Sequence, residues 1–144
     1  MAYKLTPPLI QEFYLLKADK EFSITEDPTR ITIRQATQGD EEMRNELLNS
    51  VLWIYDEDIL EKHSFELSND EITRKEVFIT LASCNILDST NLSLFRFEDN
   101  RIAMPEVLFN LAWGQLPYIY AEEIIECVHI INHHWVLQGI ANNG

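Results

Sequence analysis

One arrangement in this chain has the residue types and the spacing to hold a metal ion. Glu122, Glu126, His129 and His133 are spaced four, three and four apart, so on a helix all four share one face. Glu126-Cys-Val-His129 also has the Glu-x-x-His form that carboxylate-bridged di-iron bundles use twice. Only one copy is present, because His63 has no glutamate three residues before it. The same four residues read equally as the polar side of a helix whose other side carries Ile124, Ile125, Val128 and Ile131. The second reading is preferred, and no metal or other cofactor is expected.

Nucleophilic chemistry finds less support. Cys127 lies two residues from His129, and residues two apart on a helix point in different directions. Cys84 and Cys127 each sit in an apolar run and read as small buried hydrophobes in a reducing compartment. No glycine-rich phosphate loop, GxSxG or HExxH occurs, and four glycines leave little material for a nucleotide cradle. No catalytic residue is assigned, and a non-enzymatic protein is expected. Aromatic residues offer a different chemistry. Trp113, Tyr118, Tyr120 and Trp135 gather around a predicted helix–helix corner that also holds Leu116. Tryptophan and tyrosine are the usual anchors of protein interfaces, so these five residues are the candidate partner-binding set.

Those residues must be positioned by the elements around them. Phe22 to Arg34 reads as a β-hairpin closed by a Glu26-Asp27-Pro28-Thr29 turn. That turn pairs Thr25 with Arg30, Ile24 with Ile31, Ser23 with Thr32, Phe22 with Ile33 and Glu21 with Arg34, leaving one face wholly apolar. Before it, Thr6-Pro7-Pro8 resembles a helix start for Leu9, Ile10, Phe13 and Leu16, and Lys17 to Lys20 is a polar break. After it, Thr37 or Asp40 caps a helix that continues through Met43, Leu47, Val51 and Tyr55 to about Glu61. Ser68-Asn-Asp-Glu71 has the form of a capping box opening a helix that ends near Asn85. Leu92 to Phe97 has weak edge-strand character.

The final third reads as a helical hairpin. Pro105 opens a helix bearing Val107, Leu108, Leu111 and Ala112, Gly114 closes it, and a second helix runs from about Tyr118 to Asn132. The expected fold is mainly α: a single helical domain with a small N-terminal β-hairpin at about 20–35. The helical part spans about 38–135, and 136–144 is a mobile tail.

Bulk properties bound the function. A chain of 144 residues, 46% hydrophobic, suits one domain with its own core. No run reaches the length of a membrane span and the first residues lack a signal peptide's apolar stretch, so a cytoplasmic protein without membrane contact is expected. Twenty-four acidic against 11 basic residues give a net charge of −13, which repels nucleic acid. The same charge suits solubility, a basic partner, or an acidic inhibitor that imitates DNA and acts on a nuclease or host-defence system. Mimicry demands regular carboxylate rows, whereas the sequence offers short clusters such as Asp56-Glu57-Asp58 and Glu122-Glu123.

Three segments resemble the tail-assembly chaperones of long-tailed bacteriophages and prophages. The first is Thr32-Ile-Arg-Gln-Ala-Thr37 with the acidic helix that follows it. The second is Glu76-Val-Phe-Ile-Thr-Leu-Ala-Ser-Cys-Asn-Ile86, followed by Leu94-Phe-Arg-Phe97. The third is the closing pattern Ala112-Trp113, Leu116-Pro117, Glu122-Glu123-Ile124, Val128, Asn132 and Trp135. The family's usual proline between that last Asn and Trp is replaced here by His133-His134. The resemblance implies a largely helical protein of the host bacterial cytoplasm, absent from the mature virion. It would bind and solubilise the tape-measure protein during virion assembly, with the tail-tube protein as a second candidate partner and self-association open.

Overall fold

The strand expected at Arg30–Arg34 is present in the computed structural model, but neither of its neighbours is the segment just before it. The structure describes residues 2–55 and 61–136, with side chains described outside 49–69. In chain order the elements are β1 (Ile10–Tyr14), α1 (Leu16–Glu21), β2 (Arg30–Arg34), α2 (Gln38–Tyr55) and α3 (Glu61–Thr80). They continue with β3 (Leu81–Cys84), β4 (Phe97–Glu98), β5 (Arg101–Ile102), α4 (Glu106–Trp113) and α5 (Tyr118–Ile131).

The hairpin predicted at 20–35 is replaced by a three-stranded antiparallel sheet in the order β1-β2-β3. Phe13 and Cys84 flank Ile31, while Gln11 and Leu81 flank Ile33, with a register shift between Thr32 and Ile33. Of the four side chains assigned to the hairpin's apolar face, Ile31 and Ile33 are fully buried, but Phe22 and Ile24 are 48% and 44% exposed. The cause lies just upstream. Residues 16–21 coil into α1, and Asp19 on that helix accepts hydrogen bonds from Thr29 N (2.8 Å) and Thr29 Oγ1 (2.6 Å). That clamp draws Thr29 against α1, and Ser23 and Asp27 take positive φ in the connection, so 21–25 cannot extend alongside β2.

With 47% helix and 18% strand in two sheets, the fold is an α+β arrangement and not the mainly helical domain the sequence pattern predicted. The opening helix drawn through Leu9, Ile10 and Phe13 is the edge strand β1, and the polar break at 17–20 is α1 with Ala18 and Asp19 buried. The box at Ser68–Glu71 starts nothing, because α3 runs through it from Glu61. That helix stops at Thr80, and 81–84 leave it as β3. β4 and β5 form a two-residue hairpin in which Asp99 and Asn100 have φ of 52° and 61°. Asn and Asp tolerate that left-handed conformation, as a type I′ turn requires. α2, α4 and α5 fall where periodicity placed them, while the continuation of α2 beyond Tyr55, the Asp56-Glu57-Asp58 cluster and the tail from 137 lie outside the described residues.

Helices cover one face of the sheet. α5 lies on β2 and touches α1 and α3, while α3 also packs on α2 and α4. Leu15, Ile31, Ile33, Val77, Leu81, Phe95, Phe109, Ile124 and Val128 form the fully buried centre. A buried ionic seam ties α2 to the sheet and to α3. Arg34 Nη1 donates to Asp40 Oδ2 (2.5 Å), Arg34 Nη2 donates to Ile79 O (2.6 Å), and Arg44 Nε donates to Glu76 Oε2 (2.7 Å). Arg101 reaches Asp40 Oδ1 from the small hairpin at 3.1 Å. Burial pushes the Asp40 carboxyl upward, but hydrogen bonds from Arg34 and Thr37 outweigh it and hold it below the usual carboxylate range.

Candidate interaction site

The helical corner is built from residues that terminate one helix and start the next. Pro105 and Pro117 precede the two helices, where a fixed φ and a missing N–H cost nothing. Lys75 on α3 pins the start of α4 by donating to both carboxylate oxygens of Glu106 at 2.8 Å. Gly114 N and Gln115 N close the last turn of α4 on Asn110 O and Ala112 O, each at 3.0 Å.

α4 is apolar almost all round, and only one side of it faces the core. Phe109 and Ala112 point inward, with Phe109 meeting Phe95 (5.3 Å) and Phe78 (5.2 Å) between ring centroids. Val107 (70% exposed), Leu108 (43%) and Leu111 (64%) face outward, and Tyr118 at the start of α5 is 79% exposed. Positions 107, 108 and 111 sit on adjoining turns and form one patch. The sequence reading named these three residues with Ala112 as the apolar residues of the helix and assigned them no direction. With apolar residues at 107, 108, 109, 111, 112 and 113, only Glu106 and Asn110 mark a polar side, too narrow a stripe for periodicity alone to separate inside from outside.

The five predicted partner-binding residues divide. Tyr118 lies on the surface at the first position of α5. Trp113, stacked on Phe109 at 6.1 Å, and Leu116 are half-buried at the corner. Tyr120 and Trp135 are core residues instead. The Tyr120 hydroxyl donates to Asp19 Oδ1 at 2.7 Å, and its ring meets Phe22 at 5.6 Å. Burial and the Asp19 carboxylate push its phenol up to about 12. Trp135 is 2% exposed, donates from Nε1 to Glu41 Oε2 at 3.0 Å, and lies under the Arg44 guanidinium at 5.3 Å.

The helical-face metal set does not converge. Glu126 accepts from Lys17 Nζ at 3.1 Å, whereas His129 Nε2 lies 2.7 Å from Glu76 Oε1 on α3. Glu122 and His133 are exposed, and among the described residues no three His, Cys, Asp or Glu side chains are grouped to hold a metal. Burial pushes the Cys84 and Cys127 thiols up to about 11 and about 12, so neither is a thiolate at neutral pH.

Sequence reasoning missed the role of Glu123. Its buried carboxylate crosses from α5 to the start of α1, where Oε1 accepts from Ala18 N (2.9 Å) and Oε2 from Lys17 N (3.3 Å). Leu15, at the cap position of α1, supplies no side-chain cap, so Glu123 does that work from a distant helix. No protein-family model, curated protein or solved structure matches the chain.

Proposed function

We propose that this protein is a non-enzymatic assembly factor of the phage tail-chaperone type, binding apolar stretches of a long helical tape-measure protein through the outer face of α4. The observation that carries this reading is the exposed patch of Val107, Leu108 and Leu111 on α4, with Tyr118 also exposed at the start of α5, which a surface with no partner has little reason to keep apolar. A partner helix laying an apolar stripe on such a face is a common recognition mode. The charge of −13 keeps the holder hydrated while many copies crowd along one filament. Asp19, Asp40, Glu76 and Glu123 are buried, so they cannot contribute to the exposed carboxylate rows that DNA mimicry needs.

Co-expression with the tape-measure protein encoded downstream, followed by affinity purification, tests the proposal. The tape measure should be soluble only with this protein and should co-purify with it. Leu111→Asp and Tyr118→Ala should weaken capture while leaving the thermal melt in place. A tape measure that is equally soluble alone, and never co-purifies, sinks the assignment.

A further inference from the structure

We propose that β1 pairs edge to edge with β1 of a second copy of this chain, antiparallel about a two-fold axis at Glu12, so that the sheets of the two copies run on as one. The inference goes beyond the reading above and involves none of the α4 residues.

The backbone of β1 sets the geometry. The sheet order β1-β2-β3 leaves β1 at an edge, paired among the described residues with β2 alone. Its ladder to β2 is bracketed by Gln35 N donating to Leu9 O (2.7 Å) and Leu15 N donating to Thr29 O (2.9 Å). Hydrogen-bonded pairs alternate along an antiparallel ladder, so Gln11 and Phe13 are the residues between them that bond to β2. The N–H and C=O groups of Ile10, Glu12 and Tyr14 therefore point away from β2, to the open edge. Natural edges are blunted by proline, lysine or a bulge. β1, Ile-Gln-Glu-Phe-Tyr, has neither residue, and its register with β2 is unbroken from Ile10 to Tyr14.

A strand whose free groups sit at 10, 12 and 14 is complementary to itself. With Glu12 facing Glu12, Ile10 of each copy faces Tyr14 of the other, and every outward N–H and C=O finds a partner. No neighbouring register does as well. Centring the pair on Gln11 sets Pro8, which has no N–H, against Tyr14, and centring it on Phe13 sets Ile10 against Leu16, which is already in α1. The side chains agree. Phe13 packs on the core, so by alternation Ile10, Glu12 and Tyr14 lie on the other face of the sheet, where Ile10 and Tyr14 are 40% and 47% exposed. The pairing sets these two against each other, and aromatic–β-branched pairs are favourable across strands. It also runs the exposed Leu9 past the start of α1 in the other copy, where Leu16 is exposed. Four such side chains from each copy, roughly 100 Å² apiece, and the backbone between them come to about 1,000–1,200 Å², the low end for a specific interface, so the dimer is reversible. A contact on a two-fold axis closes, and assembly stops at two. The axis also opposes the two Glu12 carboxylates. They stand in solvent, where salt screens them, and Arg30 lines the same cleft as Glu12. That like-charge pair is the mark of this register.

Sedimentation velocity on the full chain at about 0.15 M salt, up to about 1 mM protein, tests this. The wild type should form dimers and nothing larger. Glu12→Pro removes an outward N–H and spares the ladder to β2, so the dimer should be lost while the thermal melt stays in place. Tyr14→Lys serves instead if the proline lowers the melt, and should weaken association about tenfold or more. Leu111→Asp, on α4, should leave the dimer unchanged. Glu12→Lys tests the register itself. Mixed one to one with wild type labelled with nitrogen-15 and read by native mass spectrometry, mixed dimers should outnumber the two like-with-like dimers together by roughly threefold, because lysine then faces glutamate across the axis. Glu26→Lys makes the same change of charge at an exposed site off the edge and should mix in statistical proportion. A wild type that stays monomeric at about 1 mM overturns the proposal. So does a dimer that survives Tyr14→Lys and a folded Glu12→Pro, one abolished by Leu111→Asp, or statistical mixing with Glu12→Lys.

Discussion

Replacing Glu123 with alanine should unfasten α1 and cost about 2–3 kcal/mol. That magnitude follows from the two amides the carboxylate serves. Ala18 is fully buried, so without Glu123 its N–H loses a charged acceptor 2.9 Å away and cannot turn to water. A hydrogen bond to a charged group is worth roughly 1.5–3 kcal/mol, and stranding its buried partner removes most of that. Lys17 is exposed, so its longer 3.3 Å bond is replaced by solvent and adds only a few tenths of a kcal/mol, on the order of a weak cap. A six-residue helix has no stability of its own to absorb the loss. Urea denaturation should show the midpoint falling by about 1–2 M, given a slope of about 1.5–2 kcal/mol per M. Glu123→Gln keeps one acceptor and should cost about 1 kcal/mol. Amide exchange at Ala18 should accelerate in Glu123→Ala ahead of global unfolding. The reasoning is refuted if Glu123→Ala moves the midpoint no further than Glu122→Ala, its exposed neighbour, or leaves Ala18 exchange unchanged.

Ile31→Ala and Ile33→Ala should each cost about 2–5 kcal/mol in the same assay, while Ile24→Ala should cost under about 1 kcal/mol; equal losses at Ile24 and Ile31 would restore the local hairpin. Glu76→Ala removes the carboxylate between Arg44 and His129 in a buried setting, and about 3–5 kcal/mol should be lost. Asp19, like Asp40, has a lowered folded-state pKa: burial raises it, and bonds from Thr29 and Tyr120 more than compensate. The stability these two groups contribute is therefore fully present above their unfolded value of about 4, and it drains away as pH falls through the depressed values. Chemical denaturation between about pH 6 and 2 should show that acid limb, flattened in Asp40→Asn compared at matched denaturant midpoints.

How much the sequence disclosed follows the range of the interactions involved. α2, α4 and α5 each announce themselves through their own periodicity, α4 and α5 also through the prolines before them, and Arg-Ile-Thr-Ile-Arg at 30–34 alternates as a strand should. The partners of that strand lie at 10–14 and 81–84, and no local pattern says which distant segment will pair. The Asp-Pro turn made its immediate neighbour look like the partner, and a side-chain clamp from Asp19 overrode it. α1, Leu-Lys-Ala-Asp-Lys-Glu, lacks a cap of its own and exists because Glu123 reaches it from more than a hundred residues away. The Asp99-Asn100 turn was legible and passed over. At the candidate site, Tyr118 and the helical corner were readable, whereas the outward side of a mostly apolar α4 was decided by where Phe109 found Phe95 and Phe78.

The central position of β2 also sets a timetable for synthesis. Ile31 and Ile33 emerge early, yet β3, which pairs the far edge of their strand, begins at Leu81, and α5, which covers them, is complete only at Ile131. At about 5–20 residues per second, a nascent chain carries that strand uncovered for several seconds. The first half cannot fold as a unit and wait, because its helix α1 takes its cap from Glu123 and its strand takes its roof from Ile124 and Val128. Closure is therefore a single late event, timed by the arrival of α5.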